Sequence, residues 1–339
     1  MMTKTLIALT IAASTFGAMQ TANACTTAAY HNGEAQITMR TMDWNGYDNA
    51  TVVGEGRGML NRYSETDGVS TKAKYAAIKI ESFGDATVAE GINEKGLEAR
   101  ILYLGTDAGT EFQADTADVP NVDAGQVPNF VLDNFATVTE ALEALKAVDV
   151  IPTGITGIPG HEDEALYPPV HYQLVDASGN VAVVEYIGGE MKVYTEHGAS
   201  YMSNDPAFDY HLNLDKEQVE PNATIRAADR RLRAKRVTEE LYQRGVTNSH
   251  QALISMKATQ ATSLSGYNQQ DPYLDNATFP TLWTVFTDRA NKTLLLDRAH
   301  TFTVESYSFE MFDGGESARV VLGENPTPNA NFTQALSTH

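Results

Sequence analysis

The sequence predicts an α+β fold in which two layered β-sheets carry helices on their outer sides. Three observations support it. Short segments alternating apolar and polar residues fill three blocks, 26–105, 170–206 and 282–310, a period-2 pattern that turns one face of each strand to a core. Between them, blocks 128–147 and 224–259 carry helix starts and helical periodicity. The resulting order of strands, helices, strands, helices and strands suits stacked layers.

Taken in order, the chain opens on an export signal. Lys4 precedes a run over 6–19 that is apolar apart from Thr, Ser and Gly, shorter than the roughly 20 residues a membrane-spanning helix needs. With small residues at Ala22 and Ala24 it matches a secretory signal with an A-x-A cleavage site. Residues 1–24 are therefore expected to be removed, leaving 25–339 as a single domain that begins at Cys25.

The first two strands, 26–31 and 35–44, are joined by Asn32-Gly33, a strong hairpin signal. That hairpin would bring Arg40 and Asp43 back beside Cys25. Gly54, Gly56 and Gly58 read as a turn, since their spacing is not that of a phosphate-binding loop. Asp43, Asn45 and Asp48 lack the closing glutamate of a calcium loop and read as another turn. Strands follow over 74–82, 87–93 and 96–105, the last two turning at Glu94-Lys95. Residues 107–123 form a polar, acidic loop suited to a rim.

Pro128 starts a helix, and Thr137-x-x-Glu140 is a capping box opening another through Ala147. Residues 152–169, rich in Gly and Pro, form a second long loop. Strands 170–176, 181–187 and 191–195 turn at Ser178-Gly179 and Gly188-Gly189, and 201–206 runs from a strand into a turn. A long cation-rich helix, 224–244, and a shorter one, 249–259, lead to strands 282–288, 293–297 and 301–310. The tail from Asn325 is expected to be loosely held.

The 339 residues include 24 Lys plus Arg and 44 Asp plus Glu, a formal charge of −20 that becomes more negative when Lys4 leaves with the signal. So acidic a surface argues against nucleic acid and anionic lipid as partners. No second apolar stretch approaches membrane length. A periplasmic protein, free of the membrane once its signal is gone, is expected. The chain lacks G-x-S-x-G, H-E-x-x-H and C-x-x-C, so neither metal nor cofactor is expected. Its 8 histidines are scattered and read as structural or surface residues.

Cys25, the one cysteine, has no partner within the chain. Three uneventful fates are open to it: a small buried hydrophobe, a lipid attachment point, or a link to another chain. The chemical alternative follows from the cleavage site. A thiol with an unperturbed pKa of about 8.5 needs a base, and an α-amine of about 7.7 to 8.0 is one near neutrality. A residue that begins a chain holds both groups within reach of each other, so it needs no histidine to become a nucleophile. Arg40 nearby would depress the thiol pKa and Asp43 would hold the ammonium.

Four ordered segments then resemble the choloylglycine hydrolase family of N-terminal-nucleophile hydrolases, which covers bile salt hydrolases and penicillin V acylases. Cys25-Thr26 followed by Arg40-Thr41-Met42-Asp43-Trp44 is similar to the family's opening. Gly91-Ile92-Asn93-Glu94-Lys95-Gly96-Leu97 resembles its G-x-N-E-x-G-L hairpin. Ser203-Asn204-Asp205-Pro206-x-Phe208-Asp209 resembles its T-N-x-P-x-F-D segment, and Asp229 to Ala234 parallels its R-F-x-R-A helix.

The resemblance implies a four-layer αββα sandwich of two antiparallel sheets. It implies Cys25 as nucleophile and, through its amine, base; Asp43 orienting that amine; Arg40 against the thiol; and Arg230 completing the cluster. The Asn204 side chain and the Tyr103 backbone N–H would form the oxyanion hole, with Trp44 and Tyr103 lining the acyl pocket together with the loops near Asp107 and Pro152. Arg231 and Arg233 are left as helix-surface cations. Tyr103 stands where bile salt hydrolases carry Asn, and the stretch between Asn204 and Arg230 lacks their assembly hairpin. Both features, with the export signal, resemble the family's Gram-negative branch, whose members act on penicillin V and N-acyl homoserine lactones. The expected partner is a small N-acyl amide, and a homotetramer is implied less firmly without the hairpin. A bile salt hydrolase of the same mechanism and a non-enzymatic, lipid-anchored binding protein are the competing expectations.

Overall fold

The computed structural model describes residues 25–321 apart from 117, 157, 159–163, 273–275, 302–303 and 313–316, so the export signal and the tail from Asn325 lie outside the described residues. Two large antiparallel sheets dominate. The six-stranded sheet runs in the order Tyr201–Ser203, Thr26–Asn32, Ala35–Asp43, Thr281–Asp288, Thr293–Arg298, Val304–Ser308. The eight-stranded sheet runs Glu190–Tyr194, Val181–Ile187, Val170–Val175, Glu98–Tyr103, Val88–Asn93, Ala77–Glu81, Thr51–Glu55, Ser317–Val321.

Side-chain alternation divides the interior into three cores. In the six-stranded sheet Ala29, Met42, Trp283, Val285 and Leu296 face the other sheet, while Ala28, Tyr30, Ile37, Met39 and Phe286 face outward to helices. Ala227–Gln243 lies on Thr26–Asn32 and Tyr201–Ser203, and Ser249–Ala261 on Ala35–Asp43. On the far side Val127–Asn134 packs on Val88–Asn93 and Glu98–Tyr103. The outcome is the four-layer αββα sandwich.

Most expected elements stand within two or three residues of their places. Gly33 takes a left-handed φ of 62°, as the hairpin turn requires. Thr137 accepts the Glu140 N–H at 3.2 Å, and Glu140 answers by accepting the Ala136 N–H at 2.8 Å, one residue ahead of the usual capping-box donor. Three expectations need correcting, and two elements are new. Gly54 lies inside the strand Thr51–Glu55, paired with Ile78 and Ala318, so the turn starts later, at Gly58 with φ 85°. The helix Phe208–Lys216 and the edge strand Ser317–Val321 were not anticipated. Arg231 is fully buried, bonded to the Tyr201 carbonyl and to Asp215. Arg233 is half-buried and donates to the Thr262 carbonyl at 2.9 Å.

The hairpin motif over 91–97 has a packing explanation. Asn93 donates to the Leu132 and Phe135 carbonyls at the end of the Val127–Asn134 helix (2.8 and 2.7 Å) and accepts the Lys95 and Leu97 N–H groups. One side chain thus caps a helix end and closes a β-turn. At Gly91 the helix comes so close that a Cβ would sit 2.7 Å from both Ile78 O and Leu132 Cδ1. Gly91→Ala is expected to cost about 1–3 kcal/mol through overpacking, read as a fall of several degrees in Tm by circular dichroism. An unchanged Tm would show that the helix can back away at no cost.

Candidate active site

The site grows from one register. Thr26 pairs with Thr41 and Thr27 with Arg40, so Cys25, just ahead of its strand, lies level with the end of the neighbouring one. Cys25 and Met42 share the face between the sheets, and period-2 alternation puts Arg40 on that face too. Arg40 Nη2 lies 3.9 Å from Cys25 Sγ and 3.2 Å from the Ile101 carbonyl, and its guanidinium sits 4.7 Å from the Trp283 ring centroid. The expected neighbour of the thiol is therefore in place.

Asp43 belongs to the opposite side of the strand end, next to the outer helix. Arg230, fully buried on Ala227–Gln243, donates from Nη1 to Thr26 Oγ1 at 2.7 Å and to Asp43 Oδ2 at 3.3 Å. Thr41 Oγ1 accepts the Thr26 N–H at 3.0 Å and donates to Asp43 Oδ2 at 3.4 Å. Two cations and one carboxylate thus bracket Cys25, one from inside the sandwich and two from the helix layer.

Asn204 and Tyr103 complete the cavity from different sheets. Asn204 follows Tyr201–Ser203, and its backbone carbonyl accepts a hydrogen bond from His211 Nε2 at 3.1 Å. The next residue, Asp205, accepts the Gly105 N–H at 2.7 Å, which ties this segment to the chain leaving Glu98–Tyr103. A Cβ at Gly105 would lie 2.8 Å from that Asp205 oxygen, so the approach depends on glycine. Cys25, Arg40, Asp43, Trp44, Tyr103 and Asn204 line one cavity. Its remaining wall is mostly apolar and includes Phe83, Ile101, Ile155, Ile158 and Val170. The 152–169 loop contributes Ile155 and Ile158 as expected, whereas the loop near Asp107 lines a separate groove with Thr106 and Thr110. Trp44 meets Phe83 edge-on with centroids 5.2 Å apart.

Burial pushes the Cys25 thiol up, Arg40 and then Arg230 pull it down, and Asp43 adds to the rise. Burial likewise raises the Asp43 carboxyl to about 7 against the pull of Arg230 and Arg40. Both groups therefore depend on the local charges around them. Several contributors are given no role by the sequence: Thr26, Thr41, Trp283, Asp205 and Glu90. Thr26, Thr41 and Asp205 lie in the family-like segments with no pattern that marks their contacts, whereas Glu90 alternates with Val88 and Ile92, which places it on a buried face of Val88–Asn93. Among the described residues no group of three or more His, Cys, Asp or Glu is arranged around a metal position.

Residues 25–237 match the family described as linear amide C–N hydrolases, choloylglycine hydrolase family. The chain belongs to that family. Over 247 residues it is 33% identical to a penicillin V acylase of Pectobacterium atrosepticum, covering 68% of this chain and 63% of that protein. A bile salt hydrolase/transferase of Clostridium perfringens is 29% identical over 147 residues, 42% of each chain. The alignments thus span less than two thirds of these relatives' own lengths. The structure of a penicillin V acylase from Agrobacterium tumefaciens superposes with a TM-score of 0.76 at 25% identity, covering 92% of this chain and 96% of that one. A conjugated bile acid hydrolase variant from Clostridium perfringens shares the fold, with TM-score 0.75 at 17% identity, 90% of this chain and 99% of that one covered.

His211 gives a test of the cavity's back wall. Burial first, and Arg231 second, lower its pKa to about 3, so the folded protein keeps it neutral. A depressed pKa contributes stability above the unfolded value of about 6.5 that is lost as pH falls toward the folded value. Tm should therefore fall between pH 6 and 4, and His211→Gln, which keeps an N–H donor for Asn204, should flatten that fall. Equal slopes in both proteins would contradict the assignment.

Proposed function

We propose that the chain is an exported amide hydrolase whose nucleophile is Cys25, freed as the first residue by removal of 1–24. The carrying observation is the bracket around Cys25: Arg40 3.9 Å from the thiol on one face, Asp43 and Arg230 on the other, at the head of an apolar cavity. The family match beginning at residue 25 agrees with it.

The α-amine takes the thiol proton, and the thiolate attacks the substrate carbonyl carbon. The oxyanion that forms is held by the Asn204 side-chain amide and the Tyr103 N–H. The C–N bond then breaks, the departing amine taking the proton from the α-ammonium, and a thioester remains. Water gives a proton to the α-amine, attacks the thioester, and releases the carboxylic acid while the thiol is restored. Asp43 favours the ammonium that exists between the steps, and that ammonium would in turn draw down the Asp43 carboxyl.

The apolar wall suits an aromatic or medium-to-long acyl chain. The substrate reading is penicillin V or N-acyl homoserine lactones, supported by the similarity to proteins named penicillin V acylase; the expected acidic surface favours the uncharged lactone over penicillin V and conjugated bile salts, which are anions. Bile salt hydrolysis is the second reading, favoured by the 29% identical relative. A lipid anchor fits poorly, because Cys25 is 6% exposed with its thiol inside the cavity.

Protein beginning at Cys25, given penicillin V, acyl homoserine lactones and glycocholate, is expected to show its highest kcat/KM on one of the first two; dominance by glycocholate would reverse the substrate ranking. Cys25→Ser should remain folded and lose most turnover. Asn204→Ala should lower kcat by roughly 100- to 1,000-fold, the usual effect of losing one oxyanion donor. Near-wild-type rates in either variant would remove that residue from the mechanism.

A further inference from the structure

Behind Arg40 runs a row of buried charges that the proposed chemistry does not use. Alternation along Val88–Asn93 and Glu98–Tyr103 turns Glu90, Glu98 and Arg100 to the same face as Ile92 and Leu102, inside the sandwich. Glu90, Glu98, Arg100 and Arg289 are at most 1% exposed. Glu90 Oε2 lies 4.0 Å from Arg40 Nε, and Glu90 Oε1 lies 3.5 Å from Arg100 Nε. Arg100 bonds Glu98 and, at 3.2 Å, Gln173; Glu98 in turn lies 3.4 Å from Arg289 Nη1. From the thiol inward the signs alternate: Arg40, Glu90, Arg100, Glu98, Arg289.

A charge sandwiched between sheets is unscreened by salt and expensive to bury unpaired. Glu90 is the carboxylate within 4.0 Å of Arg40; Asp48, which accepts the Trp283 indole N–H at 3.0 Å, also attracts Arg40 from beyond that ring, and Asp43 and Arg230 face Cys25 from the helix layer. Arg40 has two neighbours of opposite demand: the thiolate it would stabilise and the carboxylate that already compensates it.

Resting on the reading of Cys25 as nucleophile, we infer that Glu90 is a positioning residue that acts on the thiol through Arg40: by partly cancelling the Arg40 charge it sets how readily the thiol ionises. A glutamine at this position fills the same space but leaves the Arg40 charge uncompensated on that side. The thiol should then ionise at lower pH. Burial raises the Glu90 carboxyl itself, with Arg100 and then Arg40 opposing that rise.

The test is the pH dependence of Cys25 alkylation by iodoacetamide in protein beginning at Cys25, wild type against Glu90→Gln, with folding followed by circular dichroism. The midpoint should move to lower pH by about 1 unit, the scale of a neighbouring-charge effect. An unchanged midpoint, or one moved to higher pH, would overturn the inference even if Tm drops, because a purely structural role alters stability alone. Should Glu90→Gln fail to fold, Glu90→Asp, which draws the carboxylate back from Arg40, is expected to give a smaller shift in the same direction, and its absence counts against the inference equally. Alkylation reads the thiol without an amide substrate, so an inactive hydrolase and a misassigned Glu90 give different results.

Discussion

The register of the first hairpin governs the rest of the site. Thr26 opposite Thr41 fixes where the chain begins relative to the end of the second strand. One residue of slip would exchange the two faces of that strand. Arg40 would then leave the inter-sheet space for the helix layer, and Asp43 would turn away from Arg230. The Asn32-Gly33 turn, a feature far from any chemistry, therefore sets the charges around Cys25. Phe286, Ile37 and Met39 lock the choice, because their apolar side chains must meet the outer helices.

The cavity is shared between the two sheets, and specific bonds carry that sharing. Arg40 reaches from one sheet to the Ile101 carbonyl of the other. Asp205 reaches from beyond Tyr201–Ser203 to the Gly105 N–H. Thr26 and Arg230 tie the six-stranded sheet to its helix. Close-packed interiors transmit strain, so a loosening of the sheet-to-sheet layer would be felt at the thiol. The surface sequence is strongly acidic, yet Arg40, Arg100, Arg230 and Arg289 are buried. Arg40 and Arg230 flank Cys25, whereas Arg100 and Arg289 are paired with Glu90 and Glu98 deeper in the sandwich.

What the sequence revealed depended on how local the signal is. Arg40 and Asp43 were legible from residue chemistry, because a two-residue turn converts sequence distance directly into spatial pairing. Tyr103 and Asn204 were legible only through family resemblance, since no local pattern marks residues of two different sheets as lining one cavity. Arg231 was misread as a surface cation for a definite reason. Its partner Asp215 sits on Phe208–Lys216, a short helix whose inward face holds Phe208, His211 and the partly buried Leu212, too few apolar positions to announce a helix. Glu90 and Arg100 escaped because a lone charge at an inward position reads as a break in the apolar alternation, whereas here the two pair with each other inside the sandwich.

In the proposed reaction the backbone nitrogen of Cys25 acts as the base for its own thiol. Two proteins separate this from any account in which Cys25 works as an internal residue: one beginning at Cys25, and one retaining Ala24 ahead of it, each verified by intact mass before and after assay. The extra residue moves the terminal amine by about one Cα–Cα step, roughly 3.8 Å, and turns the Cys25 nitrogen into an amide. Amide hydrolysis is expected in the first and its loss in the second, with equal Tm. Equal hydrolysis by a second protein whose mass still includes Ala24 would contradict it.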